Sequence, residues 1–263
     1  MHPRPPGEKI FIFDLQEKWN KFAENPSLFP VFPAIKNVFL GNYAPEEPPD
    51  GPSGGSDLFI NLNNARAAMN KILLLFAHPA FHKSRINRKL VDAVRNLEGV
   101  TFHDLYENYP DFYIDVSREQ HLLLANDLIV WQHPFYWYNV PALLKEWMDL
   151  VLEHGFAYGN NGRALEGKKL LSVISTGGRR EVYSAEGRNH YTMDQFLVPF
   201  RQSARLCRMA YLPPFVVHGS HTIRPPEIDR YAEAYRRALT LLREGKFSAE
   251  ELFEATYLND IIV

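Results

Sequence analysis

Residues 71–87 read Lys71-Ile72-Leu73-Leu74-Leu75-Phe76-Ala77-His78-Pro79-Ala80-Phe81-His82-Lys83-Ser84-Arg85-Ile86-Asn87. Ile72 to Ala77 is an unbroken apolar run, too short for a helix and lacking the alternation of a half-buried strand. Such a run suits a strand covered on both faces, as in the middle of a parallel sheet. His78-Pro79 ends it, because proline has no N–H for the ladder and biases its predecessor toward extended geometry. Ser84 is a suitable N-cap for a helix expected from about Arg85 to Leu97. Strand, loop and helix N-terminus form a common phosphate-binding geometry, since free backbone N–H groups and the helix dipole face the ligand. This loop lacks the glycines of a dinucleotide fingerprint or P-loop and offers the side-chain donors His78, Ser84 and Asn87 instead. The same residues also suit an ordinary βα connection carrying a solvated histidine.

Working outward, the chain has 263 residues, enough for one large domain or two small ones. With 46% hydrophobic and 23% charged residues it reads as a globular protein. A net charge of −2 argues against nucleic-acid binding by bulk electrostatics. The single cysteine, Cys207, excludes a disulfide framework and any cysteine-rich metal site, and no metal is expected. No apolar run approaches bilayer length, and no apolar segment follows a basic start at the N-terminus, so a cytoplasmic location is expected.

Residues 1–70 differ in texture. Prolines crowd them, residues around Gly51 to Asp57 read as a flexible linker, and only Asp14 to Ala23 has a helical pattern. They are expected to be an extension on the main domain or partly disordered, and Met69 would serve as the start of a shorter form. From Lys71 onward strands and helices alternate. Further strands are expected at Val100 to Asp104, Leu128 to Gln132, Leu170 to Ser175 and Phe215 to His218. Helices are expected from Ser117, as its own N-cap, to Ala125, from Pro141 to Leu152, from Asp194 to Met209, and from Glu227 to Arg243. Five parallel-type strands with intervening helices imply an α/β domain over residues 71–245, a doubly wound open sheet. Residues 246–263 are left as a tail with room for one small helix.

In an open α/β sheet ligands bind beyond the carboxyl ends of the strands. Three strand ends carry unusual loops: His78 to Asn87, His133 to Pro141, and Ser175-Thr176-Gly177-Gly178. Phe135, Tyr136, Trp137 and Tyr138 are consecutive aromatics, which on one loop cannot all face a core. Flat rings there suit a planar heteroaromatic ligand. Gly177 and Gly178 lack a Cβ and so allow close backbone approach. Each loop alone is equally an interface or packing motif; three at one end of a sheet favour a bound cofactor.

These residues carry a resemblance. The chain resembles the flavodoxin-like NAD(P)H:quinone oxidoreductases, and more closely the ancillary oxidoreductases of glutathione-regulated potassium-efflux systems. The similarity spans about Lys71 to Glu244 and includes Ala77-His78-Pro79, Leu105 to Phe112, Trp131 to Pro134, Pro141 to Trp147 and Gly155 to Gly159. The resemblance implies a flavodoxin-like five-stranded parallel sheet and a flavin, FMN in the ancillary branch and FAD in larger relatives. It places the phosphate end at His78, Ser84, Arg85, Ile86 and Asn87, and the ring system at Phe135 to Tyr138 and Ser175 to Gly178. It also implies ping-pong hydride transfer from NAD(P)H through the flavin to a quinone. Tyr183 falls in register with a family tyrosine near the flavin; for the family histidine, Asn189 holds the position and His190 follows it. Tyr183 and His190 are therefore the expected catalytic pair. A homodimer sharing Tyr158 and the aromatic loops is implied too. The alternative function is a regulatory subunit that binds the cytosolic domain of a potassium-efflux antiporter, peripheral to the inner membrane. A one-electron carrier like flavodoxin fits less well, since such carriers are usually far more acidic.

Overall fold

The computed structural model describes residues 69–262. The extension over residues 1–70, with the helical pattern at Asp14 to Ala23 and the linker at Gly51 to Asp57, lies outside the described residues except for Met69 and Asn70.

Ile72–Phe76 forms β1, buried at every position. It is followed by β2 (Val100–Asp104), β3 (Leu128–Pro134) and β4 (Lys169–Ser175). The third strand runs past Gln132 to Pro134, which as the last residue interrupts no further ladder. In place of one fifth strand there are two short ones, β5 (Ala210–Tyr211) and β6 (Phe215–Val217). Both pair in parallel with β4, at its start and at its end. Pro213 and Pro214 separate them, since neither can donate to the ladder. The sheet order is β2-β1-β3-β4-β5, with β6 beside β4 and every pairing parallel. The direction of winding reverses between β1 and β3.

The helices are α1 (Arg85–Val94), α2 (Leu105–Asn108), α3 (Val116–Leu124) and α4 (Ala142–Val151). They continue with α5 (Met193–Phe196), α6 (Val198–Leu206), α7 (Pro225–Arg243) and α8 (Ala249–Glu254). Ser84 caps α1 as expected, its hydroxyl accepting from the Asn87 amide at 3.1 Å, but the helix stops at Val94 rather than Leu97. Asp115, not Ser117, caps α3, accepting from Arg118 N at 3.0 Å. The helix expected over Asp194 to Met209 is two helices. They meet at Leu197 (φ −90°, ψ 3°), and Pro199, lacking an N–H, opens the second.

Alternate residues of β1 serve two cores, the period of two that a strand requires. Leu73 and Leu75 join Leu123, Trp147 and Phe200 from α3, α4 and α6. Ile72 and Leu74 join Leu90 and Leu239 from α1 and α7. Inside the first layer Glu119 is fully buried. It accepts from Tyr109 OH at 2.6 Å and Trp147 Nε1 at 2.8 Å, and lies 2.9 Å from His103 Nε2. Burial pushes its carboxyl upward, but His103, Tyr109 and Trp147 outweigh burial and leave it below the usual range.

The C-terminal segment packs on its own chain. Leu258 is buried, and its N–H donates to the Pro214 carbonyl at 2.9 Å. The Asn259 side chain bonds both Val216 O (2.9 Å) and Val216 N (3.0 Å), occupying the backbone groups of β6 that face away from the sheet.

Candidate active site

The C-terminal ends of β1, β3 and β4 open onto a cleft of about 770 Å³, at the point where the winding reverses. At one end is the loop from β1 into α1. His78 lies in its wall, and its Nδ1 accepts from Ala80 N at 3.1 Å. Burial lowers its pKa, so the ring is neutral with its proton on Nε2, a donor for an anion. Ser84, Arg85 and Ile86 also line this end, where α1 presents its first amides. The Arg85 guanidinium donates to the Ile223 carbonyl at 2.5 Å, which fixes it at the rim.

Asn87 is not in the wall. It is buried beneath it, donating to Ser175 Oγ at 2.9 Å and accepting from Gln132 Nε2 at 3.3 Å. Tyr235 OH in turn donates to Gln132 Oε1 at 3.2 Å. This chain of bonds braces α1 and α7 to β3 and β4 under the floor of the cleft.

The aromatic loop forms the opposite wall. Phe135 turns inward, whereas Tyr136, Trp137 and Tyr138 face out. Asn139 N donates to Tyr136 O at 3.0 Å, closing a turn whose central residues Trp137 and Tyr138 have φ of 51° and 62°. That is a type I′ geometry, which glycine and asparagine usually occupy. Trp137 is 93% exposed at the cleft mouth, and Tyr138 stacks on Phe196 at 5.0 Å.

Ser175 and Gly177 line the cleft between these ends. A Cβ on Gly177 would come 3.1 Å from His221 Nε2, and one on Gly178 would come 2.6 Å from Val182 Cγ2. Gly178 is thus required by the loop that follows it. Thr176 is buried, its hydroxyl donating to Gly178 O at 2.8 Å and lying 3.1 Å from His218 Nδ1.

A second hollow of about 350 Å³ adjoins the first and shares Phe135, Trp137 and Gly177 with it. Tyr183 forms its base, 9% exposed. Burial raises the Tyr183 pKa most, while the Thr176 hydroxyl, the Asn189 amide and the Gly178 backbone pull against it. His190 is exposed, at φ 58°, and lies in neither wall. Asn189 lines the hollow in its place, accepting from Tyr138 OH at 3.4 Å.

Residues 70–239 match the family described as having a flavodoxin-like fold. The chain belongs to the flavodoxin-like family. It is 49% identical over 165 residues to the glutathione-regulated potassium-efflux system ancillary protein KefG of Pectobacterium atrosepticum, covering 63% of this chain and 90% of that protein. The protein of the same name from Yersinia enterocolitica is 47% identical over 169 residues, 64% of this chain and 92% of its own. Among solved structures, general stress protein 14 of Treponema denticola in complex with FMN is 40% identical with a TM-score of 0.63, covering 65% of this chain and 99% of that one. An NADPH-quinone reductase from P. pentosaceus is 36% identical with a TM-score of 0.59, covering 64% and 96%.

In this flavodoxin-like chain the donor set suits an anion at one end of the cleft and a flat ring at the other. Sequence reasoning missed Lys83, Ser220 and His221, which also line it. Lys83 stood in the decisive stretch. The other two follow β6 in His218-Gly219-Ser220-His221, a polar turn around a glycine at φ 75°, which was a fourth strand-end signal. Among the described residues no helix is long and apolar enough to cross a membrane.

Proposed function

We propose that this chain is a flavoprotein, an NAD(P)H:quinone oxidoreductase that holds FMN non-covalently in the cleft above β1, β3 and β4. The observation that carries this reading is one continuous cleft in which anion donors and an aromatic wall meet at the winding reversal. Its volume is within the ordinary range for cofactor sites. The phosphate end is His78 Nε2–H, the first amides of α1 behind Ser84, and the cations Lys83 and Arg85. Phe135 and the Trp137 turn flank the ring, with Ser175 and Gly177 along its polar edge. When bound there, the flavin supplies the hydride chemistry between NAD(P)H and a quinone.

The chain's own residues bind, exclude water and hold protons. The hollow beside the cleft receives the flat substrate, and Tyr183 at its base donates a hydrogen bond to the quinone oxygen as negative charge builds on it. Burial raises the Tyr183 pKa despite the opposing Thr176, Asn189 and Gly178 groups, which keeps the phenol protonated as a donor. FMN rather than FAD is supported by the FMN complex of the 40%-identical Treponema denticola structure. We read the protein as cytoplasmic and homodimeric, with the exposed Trp137 and Tyr113 as apolar surface for a second copy. The test is an absorption spectrum of the purified full chain, then release and identification of the flavin and assay of quinone-dependent NAD(P)H oxidation. Protein that stays colourless after incubation with FMN and FAD overturns the reading.

A second reading rests on the 49% identity to an ancillary protein of a potassium-efflux system. On it, the chain binds the cytosolic domain of an efflux antiporter at the membrane's cytoplasmic face and activates it. Co-purification with such a domain tests it, and the two readings are compatible.

A further inference from the structure

His218, Thr176 and Tyr183 come from three separate stretches and meet beside the second hollow. Thr176 follows β4 and His218 follows β6, and the Thr176 N–H donates to Val217 O at 2.9 Å, which sets the two side chains next to each other. His218 Nδ1 is 3.1 Å from Thr176 Oγ1. Its ring lies 5.4 Å from that of Tyr183 and 5.7 Å from that of Tyr257, so it is held between two phenols. We infer that His218 is a positioning residue for Tyr183, acting through Thr176, and that Tyr257–Asp260 is the strap that holds His218 and the Tyr183 loop together. This rests on the reading of Tyr183 as the substrate donor.

Proton placement follows from the partners. The Thr176 hydroxyl has a single proton, which it donates to Gly178 O at 2.8 Å. Its contact with His218 therefore needs the proton on Nδ1, with Nε2 left as a buried acceptor without a partner. Burial, with Arg180 adding to it, lowers the His218 pKa to about 4, which keeps that ring neutral and able to hold this one tautomer. By donating to Thr176 Oγ1, His218 fixes the threonine hydroxyl with its proton on Gly178 O and its oxygen beside the Tyr183 phenol.

The strap acts from outside. Arg180, three residues before Tyr183, forms two hydrogen bonds to the Asp260 carboxylate at 2.9 and 2.7 Å. Its guanidinium also lies 4.6 Å from the centre of the Tyr257 ring. Leu258 and Asn259 fasten the same segment to Pro214 and Val216 beside β6. Both the loop bearing Tyr183 and the strand end bearing His218 are thus tied to one short segment.

The experiment compares His218→Phe, His218→Asn, Asp260→Asn and Tyr183→Phe in the full chain loaded with FMN. It records flavin content, the rate of flavin reduction by NAD(P)H, quinone-dependent kcat, and the ¹³Cζ-tyrosine resonance that is missing in Tyr183→Phe. Phenylalanine fills the ring space but removes Nδ1; asparagine keeps a polar group near it. His218→Phe is expected to shift the Tyr183 resonance and lower kcat about tenfold, as for one lost hydrogen bond, with flavin content and flavin reduction kept. His218→Asn is expected to recover most of both. Asp260→Asn, which weakens the ion pair at an exposed carboxylate, should shift the same resonance by less. An unmoved Tyr183 resonance in His218→Phe and Asp260→Asn overturns the inference, as does a loss of flavin that matches the loss of rate. Full turnover in Tyr183→Phe overturns the donor reading instead, and the resonance still decides whether His218 positions the phenol.

Discussion

Trp137 and Tyr138 both occupy the left-handed backbone region, where a side chain costs roughly 1–2 kcal/mol per residue. Strain of this kind persists where the surroundings impose it, and here it aims an exposed indole across the mouth of a cleft. Trp137→Gly is therefore expected to raise unfolding stability by about 1 kcal/mol while weakening FMN binding. Urea midpoints and flavin titration of the same variant check the two halves; a variant that binds FMN as tightly as the parent would remove Trp137 from the site. At this scale the sequence was legible where chemistry clustered, as with His78, Phe135 and Gly177. It was not legible where direction mattered. Whether Asn87 faces the ligand or the floor depends on the rotation of α1 on the sheet, and that is set by Leu90 and Val94 in the core.

At the scale of elements, one carboxylate ties three of them and a connecting loop. Glu119 on α3 joins His103 of β2, Tyr109 after α2, and Trp147 of α4. Removing it leaves these donors buried without an acceptor, so Glu119→Ala is expected to destabilise by about 3–5 kcal/mol. Glu119→Gln keeps an acceptor and should lose much less, as chemical denaturation of the pair will measure. The elements themselves were mostly readable because apolar period and punctuation agree in β1 to β4. Two of the misses share a cause, since a proline can interrupt an element as well as bound it. Pro199 splits one expected helix, and Pro213 and Pro214 leave room for the two-residue β5 before the expected strand. Two residues hold too little pattern to be seen without their partner β4.

For the molecule as a whole, titration sets the acid limit of stability. His133 is fully buried, its Nδ1 3.0 Å from Pro134 O and its Nε2 unpartnered, and burial lowers its pKa from 6.5 to about 4. Between those values the unfolded chain takes up a proton that the folded chain refuses, so stability falls as pH drops from 6.5 toward 4. His133 accounts for up to about 3 kcal/mol of that loss. His218 adds to it in the same window, while Glu119 contributes stability that is lost only at more acidic pH, as its lowered pKa is reached. Urea unfolding at pH 7 and 4.5 should show the drop, and His133→Leu should flatten it; equal slopes would mean the imidazole is reached by water. If the chain holds FMN as proposed, one starting at Met69 is expected to hold it too, because the family match begins at residue 70 and the described residues that line the cleft all lie beyond it. A folded, soluble truncation that cannot hold FMN would make the extension part of the site.

One further property follows from Asn259 and the proline pair beside β6. Open sheets invite templated growth, in which a neighbour's backbone docks on unpaired amides and seeds fibres. Here an amide side chain already fills that row, and two residues without N–H groups break it. The outward backbone groups of Val216 are therefore not free to template a neighbour's strand along β6.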